Sequence, residues 1–529
     1  MKLLIGTASL ALLLGSLAFG ASGGGISGTV KDPGGAPLMG AFVRARNGKT
    51  KITMNVLSDK QGRYRMQDLP PGTYEVRATA VGFKEDLRPG LNVAEGESAS
   101  LDFALQKGLV RWSDLSVYQG RKLLPEGKGK TELFGVCFAC HGFETRMAAT
   151  RRDEAGWVRA VGFMRESMSF FIKGRFTDQN ASDVTAYLNN TFGVDSELPR
   201  SPADLPGYRE TVRPLSEEAM KIVYVDYELP GPNRFPWSGA QDKDGNIWIP
   251  YYGRANHIGR LNPSTGEVQE FPVPNQTTAA IHSAVPAPDG SVWLAQQGSN
   301  KIGRWDPGTQ KITEFQDAIT PGKEGTLEGG SKHTVRIDSK GNVWGTGSPF
   351  SRFDPKTGKF HDFPEIPTAY GVVIDKDDNA WFAEFAPDGK IGKVDGKTLK
   401  VTKYTPPTAK CWPRRIQIDP DGIIWFAEFR AGKIGRFDPK TETFKEYVLP
   451  GPEPTPYALG IDKNNRIWYS SEDMDVVGRL DPKTGQITEY PIPYSENTMR
   501  EFFFDTQGRM WFASPTNNKV GYIIFPNGS

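Results

Sequence analysis

The chain has 529 residues, with 64 Lys and Arg against 62 Asp and Glu, a formal net charge of +2 and a mean hydropathy of −0.47. These values exclude a multi-span membrane protein and argue against a nucleic-acid protein held by bulk phosphate attraction. The 59 Gly and 40 Pro favour a turn-rich, mainly β, multidomain protein, and three Cys are too few for a disulfide-stapled scaffold.

Residues 1–21 have the three parts of a secretory signal peptide. Lys2 precedes an apolar run, and small residues surround Ala18, Gly20 and Ala21. The alternative is a membrane anchor, but the apolar run is short for one. We therefore expect a periplasmic or secreted protein, with no membrane span in the mature chain and no nucleic-acid partner.

Residues 25–106 contain short alternating runs separated by turn signals, which predict a small N-terminal β-sandwich. The strings GTVKDPGGAPLMGAFVRA and SDKQGRYRMQDLPPGTYEVRATAVGF resemble the carboxypeptidase regulatory-like domain. The resemblance implies a carbohydrate-binding-like fold that usually carries no catalysis. We expect a spacer or docking module, with glycan or protein binding as the alternative.

Residues 107–196 contain a C-x-x-C-H motif formed by Cys137, Cys140 and His141. Two thiols at this spacing can bond the two vinyl groups of one porphyrin, and the adjacent His then meets the iron. A zinc site would need a second ligand pair, and the remaining Cys411 lies far along the chain. The motif therefore predicts one covalent haem c in a small all-α domain.

A predicted helix with Val158, Val161 and Met164 at helical spacing follows the motif, and a closing helix is predicted from Asp178 to Phe192. Residues 125–194 resemble a class I c-type cytochrome, in which a W-x6-M helix supplies the second axial ligand of the iron. The resemblance implies Met164 as that ligand, with Met168 as the alternative. A His–Met iron is suited to electron transfer.

Residues 197–220 are polar and Pro-rich, and we interpret them as a linker. Residues 221–529 then repeat a unit with a D-x-x-G turn, a Trp and a KIGR-like strand. Such repeats of four short β-runs predict a β-propeller with one blade per repeat. Seven Trp predict seven blades: Trp248, Trp293, Trp344, Trp381, Trp425, Trp468 and Trp511. The run 222–229 is predicted to complete the seventh blade.

In each repeat, the residue eleven before the Trp and the residue three after it are predicted to be cross-strand neighbours beside the central channel. These positions hold dissimilar polar residues, as expected of a site carried by a repeating scaffold. The alternative is a solvated channel mouth with structural pairs, such as Arg414 with Glu428. The candidate site residues are His282, His333, Glu384, Glu428, Tyr370, Arg414 and Arg500.

The WFAE strings that end at Glu384 and Glu428, followed by KIGR-like strands, resemble the virginiamycin B lyase (streptogramin lyase) family. The resemblance implies opening of a cyclic depsipeptide by elimination, with a His as base and a Glu that helps to hold Mg²⁺. Here Gly347 replaces the Glu expected beside His333. The blades with Glu384 and Glu428 carry Tyr370 and Arg414 where the His is expected.

The leading hypothesis is an exported c-type cytochrome that transfers electrons through its haem, while the propeller mouth binds a redox partner protein or a small anionic substrate. Arg414 and Arg500 favour an anion, and His282, His333, Glu384 and Glu428 are candidates for acid–base work or for a possible Mg²⁺. The alternatives are a streptogramin-type C–O elimination lyase with a fused cytochrome, and a non-catalytic binding or assembly protein. An oxidoreductase is favoured over a lyase, but the sequence does not decide whether the chain is an enzyme.

Overall fold

The computed structural model describes residues 23–139, 141–274, 279–496 and 498–525, so the predicted signal peptide and Cys140 lie outside the described residues. Within these ranges the chain is mainly β, as predicted, with 36 strands and six short or medium α-helices. None of the helices in the described ranges has the length and apolar character needed to cross a membrane.

The N-terminal strands form two sheets that enclose a common core. Alternate side chains of a strand point to opposite faces, so β2 buries Val43 and Ala45 while β5 buries Tyr74, Val76 and Ala78. One sheet has the order β4-β1-β7 with β8 beside β1, and the other contains β3-β2-β5-β6. The strands are β1 (Gly24–Lys31), β2 (Phe42–Asn47), β3 (Ile52–Leu57), β4 (Arg63–Leu69), β5 (Gly72–Thr79), β6 (Asp86–Val93), β7 (Ser98–Ser100) and β8 (Phe103–Ala104).

The next segment is helical, with Leu133, Trp157, Val184 and Leu188 in its core. Its helices are α1 (Val117–Leu123), α2 (Lys130–Gly135), α3 (Glu154–Ser167), α4 (Ser169–Ile172), α5 (Asp178–Phe192) and α6 (Tyr208–Thr211). Only α3 and α5 exceed two turns, and irregular turns such as Cys137–Ala139 connect the others. The structure therefore does not show the predicted small all-α cytochrome c domain.

The rest of the chain forms seven four-stranded blades, one for each repeat Trp; six are separate sheets, and the seventh continues into the second sheet of the sandwich. Their strands are β9 (Val223–Glu228), β10 (Ala240–Gln241), β11 (Ile247–Pro250), β12 (His257–Leu261), β13 (Val268–Pro272), β14 (Ile281–Pro286), β15 (Val292–Gln296), β16 (Lys301–Trp305), β17 (Ile312–Gln316), β18 (Ser331–Ile337), β19 (Val343–Ser348), β20 (Phe350–Asp354), β21 (Lys359–Phe363), β22 (Ala369–Ile374), β23 (Ala380–Glu384), β24 (Ile391–Val394), β25 (Val401–Tyr404), β26 (Pro413–Ile418), β27 (Ile424–Glu428), β28 (Lys433–Asp438), β29 (Thr443–Val448), β30 (Pro456–Ile461), β31 (Ile467–Ser471), β32 (Val476–Leu480), β33 (Ile487–Pro491), β34 (Phe503–Phe504), β35 (Met510–Ser514) and β36 (Lys519–Ile524). The innermost strands of successive sheets contact one another, and β10 contacts β34, so the ring of blades closes.

The repeat signature has a structural reason. In six of the seven repeats, the indole nitrogen of the Trp donates a hydrogen bond to the Asp that opens the D-x-x-G turn, for example Trp248 to Asp242 at 2.8 Å and Trp511 to Asp505 at 2.7 Å. In the second repeat Ala287 occupies the Asp position. In the six repeats that have it, the bond fixes the inner hairpin against the core of its blade.

Strand β9 closes the seventh blade and also joins it to the sandwich. It pairs antiparallel with β36 on one side, as predicted, and with β3 on the other. Asn55 donates a buried hydrogen bond to Asp226 at 2.8 Å, and Arg46 pairs with Glu228 at 2.6 Å. Because β9 has partners on both sides, neither β36 nor β3 presents an open edge there.

Candidate functional site

The innermost strands of blades two to six are irregular at the residues predicted to face the channel. Their pairing registers shift across His282, His333, Tyr370, Arg414 and Tyr457. An extra residue in one strand bends it and redirects a side chain. The predicted cross-strand pairing is therefore wrong by one residue, since Glu384 lies opposite Ala369 and Glu428 opposite Pro413.

The irregular strands bring Tyr370, Arg414 and Tyr457 together at the centre of the ring, and Arg500 joins them from the segment that precedes β34. The guanidinium of Arg414 lies 3.5 Å from the ring centroid of Tyr457 and donates a hydrogen bond to the Tyr370 hydroxyl at 3.2 Å. The guanidinium of Arg500 lies 4.9 Å from the Tyr457 centroid. The hydroxyls of Tyr370 and Tyr457 hydrogen-bond each other. Four blades thus contribute to one polar cluster.

Three charged members of this cluster were not predicted from the sequence: Arg415, Glu472 and Glu501. Glu472 forms an ion pair with Arg500 at 2.8 Å and lies 3.4 Å from Arg414. Glu501 lies 3.7 Å from Arg415 and 2.6 Å from the guanidinium of Arg336. Arg415 and Glu501 each follow a predicted site residue in the chain. The register shift between Pro413 and Ile416 lets Arg414 and Arg415 both face the cluster, whereas Glu472 and Glu501 lie outside the paired strands.

The cluster carries excess positive charge. Four guanidinium groups, those of Arg336, Arg414, Arg415 and Arg500, face the two carboxylates of Glu472 and Glu501. Within the described ranges, Nε of Arg414 and Nη2 of Arg415 are buried and have no hydrogen-bond partner. A buried donor without a partner is costly, so these N–H groups are suited to an acceptor on a ligand.

His282 and His333 lie beside this cluster, with ring centroids 3.5 Å apart. The indole nitrogen of Trp237 donates to Nε2 of His282 at 2.7 Å. Burial lowers the pKa of both histidines well below the ordinary value, and the neighbouring arginines lower it further. Both rings are therefore neutral at physiological pH.

Helix α4 seals the histidine side of the centre. Phe170 packs edge-on against Tyr252, and together with Trp237 they form an apolar layer next to His282, which is 1 % exposed. In blades four and five, by contrast, Tyr370, Phe385 and Trp412 pack together and are only half-buried. A ligand would thus reach the cluster from the side of blades four and five.

Replacing Phe170 with Ala tests this seal. We expect the variant to lose about 3 kcal/mol of stability, as for other large core truncations, and His282 to react faster with diethyl pyrocarbonate. Peptide mass spectrometry would measure the acylation of His282. Phe163→Ala is the control, because that side chain is already 51 % exposed. An unchanged rate in Phe170→Ala would contradict the seal.

Glu384 and Glu428 do not join the central cluster. Glu384 pairs with Lys403 at 2.8 Å. Glu428 is fully buried, and neither of its carboxylate oxygens has a hydrogen-bond partner within the described ranges. Burial and the nearby Glu446 raise the pKa of Glu428 to about 8. Arg414 pairs with Glu472 instead of Glu428, so the predicted structural pair does not form.

The central residues do not fit the Mg²⁺ that the sequence raised as a possibility. Mg²⁺ prefers oxygen ligands, whereas this centre presents two histidines, and both carboxylates already face arginines. Across the described ranges, no group of three or more His, Cys, Asp and Glu side chains could hold a metal ion.

The residues predicted for haem attachment lie in the helical segment. Cys137, His141, Met164 and Met168 line one largely apolar cavity of about 210 Å³. Nδ1 of His141 lies 2.7 Å from the carbonyl oxygen of Gly142 and 3.3 Å from a carboxylate oxygen of Glu496. Because Cys140 lies outside the described residues, attachment through two thiols stays a prediction.

Comparisons with known proteins identify the relatives of two regions. Residues 361–528 match the virginiamycin B lyase family, and residues 25–106 match the carboxypeptidase regulatory-like domain. A streptogramin B lyase structure is 26% identical over 58% of this chain and 99% of its own length, with a TM-score of 0.52. Virginiamycin B lyase from Staphylococcus aureus is 24% identical over 56% of this chain and 97% of its own, with a TM-score of 0.50. No curated protein matches the chain.

These findings overturn the leading hypothesis of an electron-transfer cytochrome. The family matches and the structural neighbours point to a lyase-like propeller, and none of them points to a cytochrome. Haem, iron and electron transfer have no support among them. The findings favour the lyase alternative over the main hypothesis. The chain is therefore similar to virginiamycin B lyase propellers in its C-terminal part and to the carboxypeptidase regulatory-like domain over residues 25–106.

Proposed function

We propose that the centre of the propeller binds a small anionic substrate and cleaves it by elimination, as a lyase. The observation that carries this proposal is the convergence of Arg414, Arg415 and Arg500 on the hydroxyl pair of Tyr370 and Tyr457. Similarity to a streptogramin B lyase structure supports the reaction class, at 26% identity over the propeller.

The charge and burial of the site favour a carboxylate or phosphate as the anchoring group. A guanidinium bonds such oxyanions through two parallel N–H groups, and the interaction is stronger where water is excluded. Arg414 and Arg415 each keep a buried N–H group that no described residue satisfies. The excess of guanidinium groups over carboxylates would be offset by the charge of the substrate.

The other regions have supporting roles in this proposal. The sandwich is a structural module, since its β3 is used to pair with β9 of the propeller. Binding of a glycan or protein to the sandwich stays a prediction. On the pattern of residues 1–21, we place the protein in the periplasm or outside the cell. The proposed reaction uses neither haem c nor Mg²⁺.

Calorimetry with β-(p-nitrophenoxy)propionate and its neutral amide tests the binding. We expect the acid to bind at least about tenfold more tightly than the amide, and Arg414→Met to remove most of this difference. Arg88→Met is the control, because its exposed guanidinium lies on β6 of the sandwich, where it pairs with Asp86 at 2.9 Å. Equal affinities of acid and amide for the wild-type protein would refute the proposed function.

A further inference from the structure

Two tyrosine hydroxyls lie among the arginines at the centre of the propeller. Their hydroxyls bond each other, and Nη2 of Arg414 donates to the Tyr370 oxygen at 3.2 Å. The guanidinium of Arg415 lies 5.3 Å from the ring centroid of Tyr370 and 5.9 Å from that of Tyr457. Three positive charges therefore surround one pair of phenols.

These charges act on the ionisation of the pair. Burial raises the pKa of Tyr457, but Arg414, Arg500 and Arg415 outweigh burial and bring it below its ordinary value. Burial raises the pKa of Tyr370. Because the pKa values of the two hydrogen-bonded hydroxyls shift in opposite directions, the pair loses its first proton at a lower pH than an ordinary tyrosine and its second proton at a higher pH. The pair can therefore hold one proton between two oxygens.

The histidines are less suited to this task. The Nε2 lone pair of His282 accepts the Trp237 hydrogen bond, and the ring lies behind the layer formed with Phe170. His333 is also buried, and its Nδ1 lies 2.9 Å from the Thr334 hydroxyl. Tyr370, by contrast, is half-buried on the open side of the cluster.

We infer that the Tyr370–Tyr457 pair is the proton-transfer group of this site, and that its substrate is a carboxylate with an oxygen leaving group on the β carbon. This inference rests on the proposed function. The arginines that hold the carboxylate would also stabilise the negative charge that develops on it when the adjacent carbon loses its proton. They thus take the place of the metal ion that the lyase resemblance implies.

The step balances without a further reactant. The singly ionised pair keeps one proton between its two oxygens, and when that proton moves onto Tyr457 the Tyr370 oxygen carries the negative charge. This Tyr370 oxygen takes the proton from the α carbon, and the electron pair of that C–H bond forms the α–β double bond. The β C–O bond breaks with its electrons on the leaving oxygen. That oxygen takes the proton from Tyr370, which restores the ionised pair. Tyr457 is a positioning residue that donates a hydrogen bond to the ionised Tyr370 oxygen.

β-(p-Nitrophenoxy)propionate belongs to this substrate class and reports on the chemistry. Elimination releases coloured p-nitrophenolate and acrylate in equal amounts, whereas hydrolysis would give β-hydroxypropionate and no acrylate. With p-nitrophenolate as leaving group, the proton goes to solvent. We expect wild-type protein to turn over this ether and the control Tyr252→Phe to match it, since that hydroxyl lies on the sealed side, bonded to Gln297.

Two variants separate the roles of the tyrosines. Tyr370→Phe is expected to lower kcat by about 10²-fold or more while calorimetry shows unchanged affinity, because only proton transfer is lost. Tyr457→Phe is expected to shift the acidic limb of the kcat–pH profile to higher pH, an effect that a purely structural role would not produce.

The outcomes distinguish this inference from the proposed function. Full turnover by Tyr370→Phe, or an unchanged kcat–pH profile in Tyr457→Phe, would refute proton transfer by the tyrosine pair. Neither result would contradict the proposed lyase function. Tight binding of the acid by wild-type protein without acrylate at any pH would overturn the assigned substrate class. If the acid binds no better than its amide, the proposed function itself fails.

Discussion

Glu501→Gln should destabilise the protein by about 3–5 kcal/mol at neutral pH, the range measured when one partner of a buried ion pair is removed. Glu501 is 2 % exposed and faces the guanidinium groups of Arg336 and Arg415. Its removal leaves two guanidinium groups without their carboxylate. Urea unfolding, followed by the transition midpoint and slope, would measure the loss.

The effect has a defined dependence on pH. Burial raises the pKa of Glu501, but Arg415 and Arg336 outweigh it and hold the pKa below its ordinary range. A carboxylate with a lowered pKa stabilises the fold above its unfolded pKa, about 4, and this stabilisation is lost as pH falls through the folded value. The difference between wild type and variant should therefore shrink in acid. Glu453→Gln, in a partly exposed pair with Arg121 and Lys122, is the control and should change stability by less than about 1 kcal/mol.

Glu428→Gln should have the opposite effect on the free energy of unfolding, because it should stabilise the protein in alkaline solution. Burial, aided by Glu446, raises the pKa of Glu428 to about 8. A carboxyl group with a raised pKa favours the fold below its unfolded value, and this contribution is lost as pH rises through about 8. Gln cannot ionise, so at pH 9 the free energy of unfolding of the variant should exceed that of wild type by up to roughly 5 kcal/mol, because the pKa rises from 4.5 to about 8 and one pKa unit corresponds to about 1.4 kcal/mol.

The matched control for this substitution lies on the preceding blade. Glu384 occupies the equivalent position three residues after its Trp, but it pairs with Lys403 at 2.8 Å. Glu384→Gln removes that pair and should bring no alkaline stabilisation. If Glu428→Gln were less stable than wild type at pH 9, Glu428 would have a partner that lowers its pKa.

At the centre of the propeller, the repeat pattern predicted some of the residues that meet and wrongly predicted others. The positions eleven residues before each Trp brought Tyr370, Arg414 and Arg500 into one candidate site, and the structure places these three together. The positions three residues after the Trp did not join them. The difference arises because a bulge adds a residue to the inner strand, and sequence spacing counts residues without showing which way a strand bends.

The apolar layer that covers His282 also depends on contacts that the sequence does not reveal. Phe170 and Trp237 lie far apart in the chain and belong to different regions, yet they form one apolar layer. The C-x-x-C-H motif led to a functional hypothesis that the comparisons contradict, because a local motif carries no information on the function of the rest of the chain.

The sequence by itself determined the mainly β architecture, the seven repeats and the strand that closes the ring. These features follow from local patterns: a Trp that bonds an Asp six residues earlier, and alternation of buried and exposed side chains. Only the tertiary structure decided which side chains meet at the centre and which side of the cluster is open. Those contacts join residues of different blades and helices, so they depend on strand bulges and on packing between regions rather than on the order of residues within a repeat.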